Sequence, residues 1–275
     1  MSKLTKALVA FIFVATQTIA IAPSNALPNL TTKQSSSVKA LFTAFATSDP
    51  DKIAAASVKY TKAGSAARNF AEMVKNNHAT IRYFKSINAF GMPSGLAVTP
   101  EAKGKSTLKG KIVTLNSVND AFDGRFSDFS FDAKGKISNF KVATSSGSSS
   151  QKVSDRVFAI KQSVTAGALF VTGGYVYKQP DAKLFVQMQI KNNSVSLKSW
   201  SYTNGRFASA ENKYYASSIS PVGCLYPGQT AFMQATVSDT PVVVAGTGAA
   251  FEAPTFEGCG DGSSNASSVL RFTTG

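Results

Sequence analysis

The chain is predicted to be α+β: three N-terminal helices packed on a curved antiparallel sheet, followed by an all-β sandwich. Three observations carry this. Apolar residues recur at helical spacing from Val38 to Val74. From Gly91 onward, Gly, Pro and Ser punctuate β-branched and aromatic runs, which is the grammar of strands. Beyond Ser145–Ser150, short alternating strands follow one another with turn residues between them.

Val38, Leu41, Phe42 and Phe45 stand at i, i+3, i+4 and i+7 behind Ser35–Ser36–Ser37, and predict a serine-capped helix over 35–47. Asp49–Pro50 then supplies an acidic cap and a proline at the first helical position, with Ile53, Ala54, Ala56 and Tyr60 inward. Ser65 can cap a third helix reaching Phe84, with Ala66, Phe70, Met73 and Val74 inward. Lys111–Val118 and Phe122–Phe131 read as strands. The turn Asp132–Ala133–Lys134–Gly135 puts glycine where a left-handed residue is needed, and Lys136–Val142 returns as the partner strand.

The Ser/Gly run 145–150 has linker composition and divides the chain into 27–148 and 149–275. In the second part Leu184, Val186, Met188 and Ile190 alternate with Gln187, Gln189 and Lys191, which predicts one buried face. Asn192–Asn193 and Asn204–Gly205 read as hairpin turns. Pro227–Gly228 introduces Gln229–Val237, where Ala231, Met233, Ala235 and Val237 share a face, and Trp200 reads as a core plug.

Residues 1–26 have the form of a secretory signal peptide: Lys3 and Lys6, the apolar run Ala7–Ala22, then Ser24 and Ala26 at the −3 and −1 places of a cleavage site. Thr16–Gln17–Thr18 interrupt the apolar core, which falls short of the ~20 residues of a membrane span. Cleavage after Ala26, with no transmembrane anchor left, is therefore expected, and the mature chain is expected to be secreted. Such surroundings hold no ATP, nicotinamide pool or reduced thiols, which argues against most intracellular enzyme readings.

Loss of the leader takes the formal net charge from +14 to +12, and 17 basic against 8 acidic residues lie between Leu27 and Gly147. A positive exported chain suits an anionic envelope polymer, a lipid surface or another exported protein as partner, through an attraction that salt weakens; the same charge also serves solubility. Six Arg against 23 Lys is a composition for diffuse electrostatics rather than specific nucleic-acid recognition. Cys224 and Cys259, an even pair in an oxidising compartment, predict one disulfide.

Catalytic motifs are not found. His78 is the only histidine, no Gly-x-Ser-x-Gly elbow accompanies it, and it reads as solvent-facing or helix-terminal. Ser-x-x-Lys at Ser36, Ser106 and Ser149 lacks the partner motifs of penicillin-recognising enzymes, and Gly104–Lys105–Ser106–Thr107 lacks the first glycine of a phosphate loop because position 99 is Thr. Two thiols and one histidine fall short of four metal ligands, so neither metal nor cofactor is expected. Lys103, Lys105, Lys109 and Lys111 would project to one side of an extended stretch, with Leu108 and Ile112 on the other. They form a candidate anion-binding row, and equally suit an edge strand kept soluble by lysines.

Helices first, then a sheet whose last hairpin runs Gly124–Arg125–Phe126–Ser127–Asp128–Phe129–Ser130–Phe131 to Lys136–Ile137–Ser138–Asn139–Phe140, resembles the nuclear-transport-factor-like cone fold over about residues 33–143. That resemblance implies a cone whose open mouth serves as a ligand pocket or as an isomerase or cyclase site. Its nearest acid–base candidate is Asp128 among Phe126, Phe129 and Phe131, with Tyr60 and His78 as helpers, but no motif fixes any of these residues and no catalytic role carries over from the family. The strand Lys183–Lys191 followed by Asn192–Asn193, with the later Tyr226–Pro227–Gly228–Gln229, is similar to immunoglobulin-like modules of secreted bacterial proteins, which implies a non-catalytic second part. Together these point to an exported, non-enzymatic protein with a binding or structural role at the cell envelope or in the medium. The alternative is a small-molecule binding protein or isomerase/cyclase-like enzyme using the cone pocket.

Overall fold

Thr31 opens the first helix in the computed structural model, which describes residues 29–47, 49–87, 104–117, 122–144, 150–164, 169–181, 183–200, 205–208, 214–220, 223–237, 248–257 and 267–274. Residues 1–28, Lys103, the serine run 145–149, Asn204 and Cys259 lie outside them, as do the side chains of Trp200 and Cys224. Helix α1 (Thr32–Phe45) begins before Ser35 because Thr31 and Gln34 form a reciprocal capping box: Thr31 Oγ1 accepts from the Gln34 amide at 3.2 Å, and Gln34 Oε1 accepts from the Thr31 amide at 2.9 Å. Two amides satisfied at once outweigh a single serine cap.

Helix α2 (Pro50–Tyr60) starts as expected, with Asp49 accepting from the Asp51 and Lys52 amides and Pro50 at the first position. Arg82 reaches back from α3 (Ala66–Ile87) to Asp49 at 3.0 Å and Asp51 at 2.8 Å. Burial, the largest influence on Asp49, pushes its pKa up. The amide hydrogen bonds and Arg82 together hold it below the usual carboxylate value. At the other end of α2, Arg68 donates to Thr61 Oγ1 at 2.6 Å and to the Val58 and Thr61 carbonyls. The Lys62 amide then bonds the Ile137 carbonyl at 2.8 Å, which ties the helical layer to the sheet beneath it.

That sheet is β1 (Lys105–Lys109), β2 (Ile112–Asn116), β3 (Gly124–Phe131), β4 (Ile137–Ala143) and β5 (Gln151–Lys152), all antiparallel and in sequence order. Lys109 pairs with Ile112, so Lys111 stands in the hairpin turn and not on the strand. The expected one-sided lysine row is corrected on this point: a two-residue turn interrupts the extended stretch. The β3–β4 turn is the expected one, with Gly135 at φ 76° and the Asp132 carboxylate accepting from the Lys134 and Lys136 amides.

Rings fill the space between helices and sheet. The Phe42 ring lies 4.7 Å from Phe126 and 5.8 Å from both Phe129 and Phe140. Phe70 makes edge contacts with Phe126, Phe140 and, at 5.6 Å, Tyr177. Truncating a buried phenylalanine of this kind to alanine costs about 3–5 kcal/mol. Tyr177 belongs to the second sheet, as do Val157 and Phe185 of the same core, so the first core continues past residue 148.

The second sheet follows a 3-10 turn at Val153–Asp155 and comprises β6 (Val157–Val164), β7 (Leu169–Lys178), β8 (Leu184–Asn192), β9 (Lys198–Trp200), β10 (Gly205–Ala208), β11 (Tyr214–Ser220), β12 (Gly223–Leu225), β13 (Thr230–Val237), β14 (Gly248–Glu257) and β15 (Ser267–Thr274). Its order runs β10-β11-β13-β8-β7-β6-β15-β14, and β14 pairs back onto β10 through Phe207 and Phe251. Eight antiparallel strands thus close a ring, with β9 and β12 continuing from β14. The ring encloses an apolar interior that includes Phe158, Leu169, Phe207 and Phe272.

Leu184, Val186, Met188 and Ile190 face Val237, Ala235, Met233 and Ala231 in register, the alternation expected for both strands. The opposite face of β8 is half-exposed at Gln189 and Lys191, as the alternation suggests, but buried at Phe185 and Gln187. Gln187 is 0% exposed, and its Nε2 donates to the Met73 carbonyl at 3.3 Å, because α3 lies across this wall. Nor is Asn192–Asn193 a hairpin turn. Asn192 is buried at the end of β8, its side chain donating to the Ser196 and Leu225 carbonyls, while its backbone pairs with Gly228 and Gln229. One amide side chain here joins two loops that sequence spacing cannot connect.

A bulge between Val171 and Gly173 shifts the register of β7, so that Val171 and Val176 both point inward. Gly174 makes this possible: its φ is 139°, and a Cβ there would meet the Gln187 carbonyl oxygen at 2.0 Å. Gly173 has room, with nothing nearer than 3.9 Å. Gly174→Ala is therefore expected to cost ~3 kcal/mol or more in urea unfolding, while Gly173→Ala stays within about 1 kcal/mol. Equal costs for the two would contradict the bulge geometry.

His78, on α3, is 3% exposed, which corrects the solvent-facing reading. Burial lowers its pKa from 6.5 to about 4, and its Nε2 has no hydrogen-bond partner. As pH falls below 6.5 the unfolded chain takes up a proton that the folded chain refuses, so stability falls until about pH 4 and then levels, a loss of about 3 kcal/mol. Urea unfolding of the wild type and His78→Leu at pH 7 and pH 4.5 checks this. The wild type is expected to lose about 2–3 kcal/mol more than the variant; parallel losses would contradict it.

Candidate anion-binding cleft

β3 must send both Phe126 and Phe129 into the ring cluster, although residues three apart on a regular strand point to opposite faces. The strand solves this with a register shift between Ser127 and Ser130, where Asp128 adopts φ 51°. A left-handed conformation is uncommon for a residue with a side chain, and Asp tolerates it better than most because its short polar side chain can bond locally.

Register then sets neighbours. Ser127 faces Lys141 on β4, Lys141 faces Lys152 on β5, and the β1–β2 turn carrying Lys111 lies level with the bulge. The result is a row across the sheet, Lys111–Asp128–Lys141–Lys152, all lining one cleft of about 340 Å³. Leu30, Phe129 and Ser130 line it too, with the fully buried Phe140 behind them. Asn139 also lines it and holds β4 against the 3-10 turn: its Oδ1 accepts from the Phe140 and Ser154 amides, and its Nδ2 donates to Ser154 Oγ at 3.0 Å.

Lys141 Nζ is 2.7 Å from Asp128 Oδ2, and both side chains are about a third exposed. An ion pair that wet contributes at most about 1 kcal/mol. Lys141 and Lys152 oppose each other directly, and like charges in that position destabilise a sheet. Among the described residues Lys111 and Lys152 form no ion pair. One carboxylate therefore meets three ammonium groups, and the cleft carries an uncompensated positive charge.

Of the residues the sequence singled out, Lys111, Asp128 and Phe129 line this cleft. Lys105 and Lys109 sit exposed at the ends of edge strand β1, and Lys103 lies outside the described residues. Phe126 is fully buried in the ring cluster, and Tyr60 is half-buried against it with Lys59 Nζ over its ring at 5.2 Å; neither lines the cleft. Cys224 is on β12, and its pairing with Cys259 falls outside the described residues. Lys141, Lys152 and Asn139 were missed. The available signal was the three-residue step from Phe126 to Phe129 in an otherwise alternating strand, which marks a bulge.

Chemically, ammonium groups beside apolar side chains can hold an anion with a hydrophobic body. Among the described residues no three His, Cys, Asp or Glu side chains come together as metal ligands would. No family model, curated protein or solved structure matches the chain.

Proposed function

We propose that the chain is an exported, non-enzymatic binding protein, acting at the cell envelope or in the medium, that engages an anionic partner through the lysine row of its first sheet. The observation that carries this is the Lys141–Lys152 cross-strand pair, a like-charge opposition that an anion in the cleft would relieve. The leader-like segment 1–26 and the Cys224–Cys259 pair fit export. Among the described residues no helix is long and apolar enough to cross a membrane.

Residues 33–143 enter this reading as a nuclear-transport-factor-like cone, supported by three helices over an antiparallel sheet. Between those layers Phe42, Phe45, Phe70, Phe126 and Phe140 fill the interior, which favours the cleft at the bulge over a deep cone pocket. An isomerase-type site would want a buried acid or base. Asp128, the carboxylate at the cleft, is partly solvated and held by Lys141. The second part enters as a non-catalytic module, as its likeness to immunoglobulin-like modules implies. Its inward residues are apolar, the reverse of a membrane-spanning barrel, whose apolar belt faces lipid.

Retention on anionic vesicles or acidic wall polymer at low salt tests the reading. Lys111→Gln with Lys152→Gln is expected to weaken retention roughly tenfold or more, since each lysine near an anionic surface contributes about 1 kcal/mol. The edge pair Lys105→Gln with Lys109→Gln is expected to weaken it less. Unchanged retention in the first double variant would overturn the assignment of the row.

A further inference from the structure

Asp128 is the one non-glycine residue at positive φ among the described residues. Such conformations persist where the surrounding fold over-determines them, and they gather at ligand sites. Here the strain places a carboxylate in the middle of a cationic row, 2.7 Å from Lys141 Nζ. The cleft therefore already holds an anion, and that anion is planar, carboxylic and supplied by the chain itself. Phe129 and Leu30, both apolar, and Ser130 line the same cleft. A volume of about 340 Å³ is at the small end of ligand pockets, room for a ring and its substituents rather than a folded peptide.

We propose that the cleft takes a carboxylate-bearing sugar ring, a hexuronate unit of an acidic polysaccharide, and that Asp128 is its internal competitor. This rests on the anion-binding reading above. The ligand carboxylate displaces Asp128 from Lys141, the C–H face of the ring lies on Phe129, and Lys111 and Lys152 take the carboxylates of neighbouring units along the row. Asp128 thereby lowers affinity for any anion, and the preference for a hexuronate over a phosphate comes from the apolar contact with Phe129 and Leu30, which a phosphate cannot make.

Titration calorimetry of the mature chain with trigalacturonate, and competition by inorganic triphosphate, tests this. Asp128→Asn keeps a residue that tolerates the left-handed backbone. It is expected to tighten trigalacturonate binding about two- to fivefold, the range an exposed ion pair of this kind supplies. Asp128→Gly, which removes the backbone strain together with the carboxylate, is expected to do the same. Asp51→Asn makes the same change in net charge outside the cleft and is expected to leave the affinity unchanged. Triphosphate is expected to compete poorly. Equal effects of Asp128→Asn and Asp51→Asn, weaker binding in Asp128→Asn, or triphosphate competing as well as trigalacturonate would each overturn the hexuronate assignment. The broader reading would stand in those cases if Lys111→Gln with Lys152→Gln still weakened retention on anionic surfaces, and would fall with it if that variant had no effect.

Discussion

Helix α3 is buried on two sides, and the rest of the molecule is arranged around that fact. Ala67, Phe70, Ala71, Met73, Val74, Asn77 and His78 are all inaccessible, a distribution too wide for the single stripe of a surface helix. One side of α3 meets β4 and the other meets β6, β7 and β13 of the ring. Phe70 touches rings from both directions, Phe126 and Phe140 of the first sheet and Tyr177 of the second. Phe122 extends the contact to Phe185 at 5.7 Å. One aromatic core thus joins the two sheets, beside the second core that fills the ring.

The same core generates the cleft. Phe42 draws in both Phe126 and Phe129, and only a bulge lets one strand deliver both. The bulge turns Asp128 outward at a left-handed φ, between Lys111 and Lys141. Packing energy of the phenylalanines, several kcal/mol per ring, readily holds a backbone strain of order 1–3 kcal/mol. Site and core are coupled, and a substitution that relaxes the ring cluster will also move the carboxylate.

Much of the local structure was legible. Asp49–Pro50 and Ser65 mark helix starts because their chemistry acts within one turn, and Asp132 to Gly135 defines its turn for the same reason. The alternation in β8 and β13 identified the inward face of the ring, since period two survives any choice of partner strand. What failed depends on distant residues. Gln187 reads as solvated until α3 covers it, Asn192 reads as a turn until the loop at Gly228 meets it, and His78 reads as exposed until the folded chain buries it. At the site, Lys111, Asp128 and Phe129 were visible from the hairpin and strand that contain them. Lys141 and Lys152 were not, because only cross-strand register brings them together and Lys152 lies past the serine-rich run.

One core holds the helices and first sheet to the outer wall of the ring, so the ring, although it has an interior core of its own, folds with them as a unit. Differential scanning calorimetry of the chain from Leu27 onward tests it most directly. One transition, with calorimetric and van't Hoff enthalpies in agreement, is the result this architecture requires. Two resolved transitions, with the ring unfolding separately from the helical layer, would contradict it.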